Sequence, residues 1–167
     1  MSEPASPVPV PLRSAGLRGL LEYWEGRRRE RRMPARADID PAEFRPLIGR
    51  VSVIDVIGED AGSYRFRFRL AATPFCRAVG QEMTGKMLEE LSEPATRAFL
   101  EANYLEVARS ARPLAVSGAI RLDERDWMGE SLILPLSAHG ERVERLLAAR
   151  EVSLWRGGRY VPVAPLP

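Results

Sequence analysis

Between positions 64 and 70 the chain reads YRFRFRL, so Tyr64, Phe66, Phe68 and Leu70 alternate with Arg65, Arg67 and Arg69. A strict period of two sorts the rings onto one face of a strand and the arginines onto the other. After Leu70 the period lengthens. Phe75, Val79, Met83, Met87 and Leu88 return to one side across short helical pieces punctuated by Gly80 and Gly85. The spacing predicts a strand handing over to a small helical lid, and the space between them is the place to look for a ligand. The plain alternative is that side chains fill it.

The same reading extends in both directions. Leu17, Leu20, Leu21 and Trp24 follow the i, i+3, i+4, i+7 spacing of a helix face, with Ser14 as its N-cap. The helix runs into Arg27, Arg28, Arg29, Glu30, Arg31 and Arg32 and is expected to stop by Pro34. Asp38 or Asp40, followed by Pro41, marks a short helical turn to about Leu47. Residues 51–57 read as a buried strand that Gly58, Asp60, Gly62 and Ser63 turn into a hairpin with 64–70. At a sheet edge the three arginines of 64–70 would also discourage pairing with other chains.

Residues 72–79 read as helical, with Pro74 in the first turn and Gly80 as the stop. Thr84-Gly85-Lys86 is a tight turn before a brief segment at 87–91. A longer helix starts at Pro94 and ends near Arg112-Pro113, with Ala95, Ala98, Phe99, Ala102 and Leu105 as its apolar stripe and Tyr104 and Val107 at the margin. Three strands follow, at 114–122, 127–136 and 142–154. Asp123-Glu124-Arg125-Asp126 and His139-Gly140 link them as hairpins. Pro135 predicts a bulge or an unpaired side. Residues 1–13 read as a disordered arm, 14–156 as one domain and 157–167 as an irregular tail, with a short strand near 160–163.

This order places the chain in the α+β class, an antiparallel sheet with helices gathered on one face. Composition narrows the function. At 167 residues, 45% hydrophobic and 29% charged, the chain is expected to be a single soluble domain. A net charge of +2 does not by itself imply nucleic acid. Lys86 is the only lysine among 25 basic residues, which fits either guanidinium recognition of phosphate and carboxylate or a GC-rich genome. The arginine run at 27–32 could meet RNA, anionic lipid or an acidic partner. It equally suits a solvated helix end, and no aromatic residue is interleaved as a stacking platform. The lone Cys76 allows no disulfide and no multi-cysteine zinc site. With no secretory segment and no apolar run near the ~20 residues that cross a bilayer, a cytoplasmic location is expected.

Catalysis finds little support. The single histidine, His139, sits in a turn without a nucleophile motif, the carboxylate runs fall in loops and helix ends, and no phosphate-cradling glycine loop is present. The chain is therefore expected not to be an enzyme.

The segments FRLAATPFCRAVGQEMTGKMLEEL and SLILPLSAHGERVERLL, placed after an amphipathic helix and a hairpin, resemble the PAS fold. The likeness is to stand-alone bacterial PAS-like proteins first catalogued as a domain of unknown function. It rests on Phe68-Arg69-Leu70, Thr73, Gly80, Thr84-Gly85-Lys86, and Leu132 to Leu136 with Gly140, and covers about Leu17 to Val152. The resemblance implies a five-stranded sheet in the order 2-1-5-4-3 with crossover helices on one face, and a signal-sensing or partner-binding role. Flavin photosensors of this fold carry a reactive cysteine after a Gly-basic turn. Phe75-Cys76-Arg77 precedes the Gly85-Lys86 turn, which argues against flavin-cysteine photochemistry, and the placement of His139 argues against histidine-ligated haem. No cofactor is thereby identified.

The first functional expectation is a sensory or regulatory module that binds a small, largely apolar ligand and signals through a separate protein. Phe68, Phe75, Val79, Met87, Phe99 and Tyr104 would line the site, with Asn103 and the Tyr104 hydroxyl as polar contacts. The second is a ligand-free interaction or dimerisation module that pairs, as a homodimer, through Leu17, Leu20, Leu21 and Trp24. RNA or lipid attachment through the arginine run is a third.

Overall fold

The computed structural model describes residues 12–58, 62–122, 125–156 and 159–162. The expected arm at 1–13 and tail at 157–167 lie largely outside these residues, as do Asp60 and positions 123–124 of the expected hairpin link, whose Arg125 and Asp126 belong to a strand.

Helix α1 (Ala15–Arg28) begins where its cap is. The Ser14 hydroxyl accepts from the Leu17 amide at 3.1 Å. It ends well before Pro34, at Arg29, whose φ of 55° leaves the helical region. Two 3₁₀ turns follow, Arg36–Asp38 and Pro41–Leu47, the second capped by Asp40 through the Ala42 amide. Strands β1 (Val51–Ile57) and β2 (Arg65–Leu70) form the expected hairpin. Helix α2 (Thr73–Val79) closes on Gly80, which adopts the left-handed conformation (φ 67°) that glycine tolerates best. A 3₁₀ turn, Leu88–Glu90, leads to helix α3 (Pro94–Ser110), capped by the Glu93 carboxylate. Strands β3 (Leu114–Leu122), β4 (Arg125–Leu136) and β5 (Arg145–Arg156) make the meander.

The five strands lie antiparallel in the order β2-β1-β5-β4-β3, the order the resemblance implies. A sixth strand, β6 (Arg159–Pro162), pairs with the far end of β5. Pairing of β3 with β4 stops at Leu114 opposite Ile133, so the Pro135 carbonyl is left to accept from Trp24 Nε1 at 2.9 Å. β2 is an edge strand, yet its edge is not bare. The Phe68 amide donates to Lys86 O, the Gly85 amide donates to Phe68 O, and Arg67 bridges Met87. This backbone cover protects the edge in addition to its arginines.

Directly opposed residues on antiparallel strands point to the same side. Ile54, Val56, Phe66, Phe68, Ile133 and Leu146 therefore form one face, and Asp55, Arg67, Arg145, Leu134 and Leu147 belong to the other. α2 and α3 cover the first face and α1 the second. The N-terminal helix thus lies across the sheet from the crossover helices.

Candidate functional site

The interior between β2 and the crossover is packed with rings. Phe68, fully buried, stacks on Phe75 with centroids 5.3 Å apart and meets Tyr104 edge-on at 6.4 Å. Tyr104 also meets Phe66 at 5.4 Å, and its complete burial pushes its phenol above the ordinary range. Val79 is half-buried against the same core. Of the seven expected ligand contacts, the structure thus brings together Phe68, Phe75, Val79 and Tyr104.

The other three stand apart. Phe99 is 45% exposed on the outer side of α3. Asn103 spends its amide on Phe99 O, 2.8 Å away in its own helix, and Met87 is only half-buried and does not join the core. The apolar stripe of α3 is rotated from the expected one: Tyr104, Val107 and Ala108 are buried, with Leu100 and Leu105 packed beside them, while Ala95, Ala98 and Ala102 face solvent. The rings on β2 decide this rotation, because Tyr104 and Val107 fill space against them that alanines would leave empty. Met83, Leu88 and Leu91, which flank the Gly85 turn, are buried core residues.

α2 is held differently from its surroundings. None of its side chains is fully buried, and it rests on Phe75, Cys76 and Val79. Its start is tied by the Ala72 amide to Ser52 Oγ (2.9 Å) and by the Ala71 amide to Thr84 Oγ1 (3.1 Å). The Cys76 thiol donates to Glu82 Oε1 at 3.6 Å, and burial together with that carboxylate raises its pKa, so it stays protonated.

The face expected to pair with a second copy is occupied. Leu17, Leu20 and Trp24 are buried and Leu21 packs beside them, because α1 lays this stripe on β4 and β5. Its N-terminus is pinned by two glutamates opposed on the sheet: Glu130 accepts from the Arg13 and Ser14 amides at 2.7 Å each, and Glu151 accepts from the Ser14 hydroxyl. They supply the negative charge that the first turn of α1 lacks. The arginine run that closes α1 is dispersed among separate partners. Arg27 pairs with Glu43, Arg28 with Glu25 and Arg31 with Asp38, and Arg32 reaches Ser110 O.

On the α1 side the sheet carries an open cleft of about 660 Å³, lined from β1 and β2 and from the turn after α1. Asp55 sits on its floor with a side chain only 10% exposed, accepting from Arg67 (3.0 Å), Arg69 (3.0 Å) and Arg145 (3.1 Å). Burial raises the Asp55 carboxyl, but hydrogen bonds from Arg69 and Arg67, the Arg69 charge and the Arg145 hydrogen bond outweigh it and hold the group below its ordinary range. Arg36 and Arg142 complete the rim. Sequence reasoning noted the β2 arginines as an edge device but did not join them to Arg36, Arg142 and Arg145. Among the described residues no three of the histidine, cysteine, aspartate and glutamate side chains converge to hold a metal, and no helix is long and apolar enough to cross a membrane.

A ring-lined antiparallel sheet with crossover helices on one face and an N-terminal helix on the other defines an α+β domain with the strand order β2-β1-β5-β4-β3. A family model of the PAS domain matches residues 12–149, and the chain belongs to that family. No curated protein sequence matches it. Among solved structures it is similar to the Rhodobacter sphaeroides LOV protein (18% identity, 65% of this chain and 62% of that one, TM-score 0.42). It is also similar to the PAS domain of Bordetella pertussis BvgS (16% identity, 67% and 85%, TM-score 0.44) and to a fungal LOV domain photoreceptor (17% identity, 82% and 93%, TM-score 0.38). This chain therefore spans less than two thirds of the R. sphaeroides protein.

Proposed function

We propose that the protein is a non-catalytic sensory or regulatory module in which a small, largely apolar ligand enters beneath α2, and that its state is read by a separate partner protein. The observation that carries this reading is the contrast within one wall. Phe66, Phe68 and Tyr104 are fully buried, whereas α2 buries no side chain completely and meets this wall through Phe75, stacked over Phe68. Segments with little buried area open at low free-energy cost. Turning Phe75 outward would uncover an apolar surface bounded by Phe68, Val79 and Tyr104, with the tethers at Ala71 and Ala72 on one side and Gly80 on the other left intact.

A flavin bonded through Cys76 does not fit this arrangement. The thiol is turned to Glu82, and the ring stack occupies the interior. Native mass spectrometry of freshly purified protein tests the reading, combined with titration of the neutral fluorophore N-phenyl-1-naphthylamine. A co-purified apolar compound, or saturable probe binding that strengthens in Phe75→Ala, is the expected result. No bound compound together with no probe binding in either form would overturn it.

A further inference from the structure

We propose that the cleft on the α1 side of the sheet is a second binding site, for a small anion bearing two or more phosphate or carboxylate groups. Five arginines, Arg36, Arg67, Arg69, Arg142 and Arg145, line it, against the carboxylates of Asp55 and Glu144. Asp55 is shared by three guanidinium groups, so it balances only part of their charge. Arg36 and Arg142 donate to the carbonyls of Ile39 and Gly58, contacts that leave their charge in place. One Glu144 oxygen is taken by the Ala138 amide at 2.6 Å.

The arginines are also presented in a usable way. Arg67 gives Asp55 one terminal nitrogen, and Arg69 and Arg145 give only Nε. A guanidinium has five N–H donors in a planar fork, so each retains donors for a second oxyanion. Their side chains line the cleft and are 46%, 51% and 32% exposed, while the carboxylate beneath fixes where they point. Donors held in place before binding lose less freedom when the ligand arrives. Protection of a sheet edge accounts for arginines on β2. It does not account for Arg36 from the turn after α1, or for Arg142 and Arg145 from the β4–β5 link and β5, meeting the β2 pair around one concavity. The volume lies in the range of small-molecule sites, which favours a compact ligand over a polymer laid across a flat surface.

The test is calorimetric titration of the full chain with pyrophosphate and, separately, citrate, at low and at physiological ionic strength, with glycerol as a neutral control. At least one anion should bind saturably and raise Tm, more weakly as salt rises. Comparing the two separates phosphate from carboxylate preference. Arg36→Gln and Arg142→Gln do not touch the Asp55 cluster, so each should keep the Tm of the free protein while weakening binding about 10-fold. Phe75→Ala should leave anion binding unchanged. The proposal is overturned if neither anion binds at low salt, if both arginine variants bind as the unaltered chain does, or if a single-stranded RNA or an acidic peptide binds this cleft more tightly than either anion.

Discussion

One strand of this PAS domain contributes to two unlike regions. Through Phe66 and Phe68, β2 builds an interior of stacked rings, and through Arg67 and Arg69 it builds half of a charged cleft on the reverse side. The apolar side is closed because ring surface gains free energy by leaving water, and Tyr104, Phe75 and Val107 are available to cover it. The charged side stays open because guanidinium groups lose hydration on burial and the Asp55 carboxylate that compensates them is shared among three. The difference teaches that in one sheet stability and ligand chemistry can be assigned to opposite faces, with α1 lying on the β4 and β5 part of the second face.

The strongest way to break this comparison is to attack the closed side. Phe68→Ala removes a fully buried ring and is expected to cost about 3–5 kcal/mol, read by urea denaturation, whereas a cost below about 1 kcal/mol would mean the rings are not the core. On the open side, Asp55→Asn should cost about 2 kcal/mol through lost charge-assisted hydrogen bonds and should be partly rescued by salt.

The pH dependence sharpens the same point. Because the folded Asp55 carboxyl is held below its ordinary value of about 3.9, its contribution is complete above that pH and is lost as pH falls through the lower folded value. Unaltered protein should therefore lose stability below about pH 4 more steeply than Asp55→Asn does, and equal slopes would remove the role given to this carboxylate. A smaller effect is expected at the lid. Gly80→Ala places a side chain at φ 67° and should cost about 1 kcal/mol, with faster amide exchange confined to α2. The smallest is Phe99→Ser, which should change stability by less than about 0.5 kcal/mol and leave probe binding unaltered, since that ring faces solvent.

How far the sequence reached can be judged from particular residues. Local signals placed the elements well: Ser14 and Gly80 mark helix ends, and β1 and β3 span the segments their patterns define. Pattern also sorted β2 into two faces. It could not orient α3, because alanines and larger apolar residues run round much of that helix, and only contact with Phe66 and Phe68 selects Tyr104 and Val107. Nor could it tell that the Leu17, Leu20 and Trp24 stripe is spent within the chain, since an amphipathic face reads alike whether it meets its own sheet or a second molecule.

The chain by itself thus determined which segments are strands and helices and that rings and arginines of β2 part to opposite sides, because those properties depend on neighbours a few residues away. Tertiary structure alone decided the cleft. Asp55 meets Arg67 and Arg69 at separations of 12 and 14 residues but Arg145 at 90, and this last contact exists only because the strand order sets β5 directly beside β1. Hydrogen bonding between strands distant in sequence brings such charges to one place, and no local periodicity carries that information.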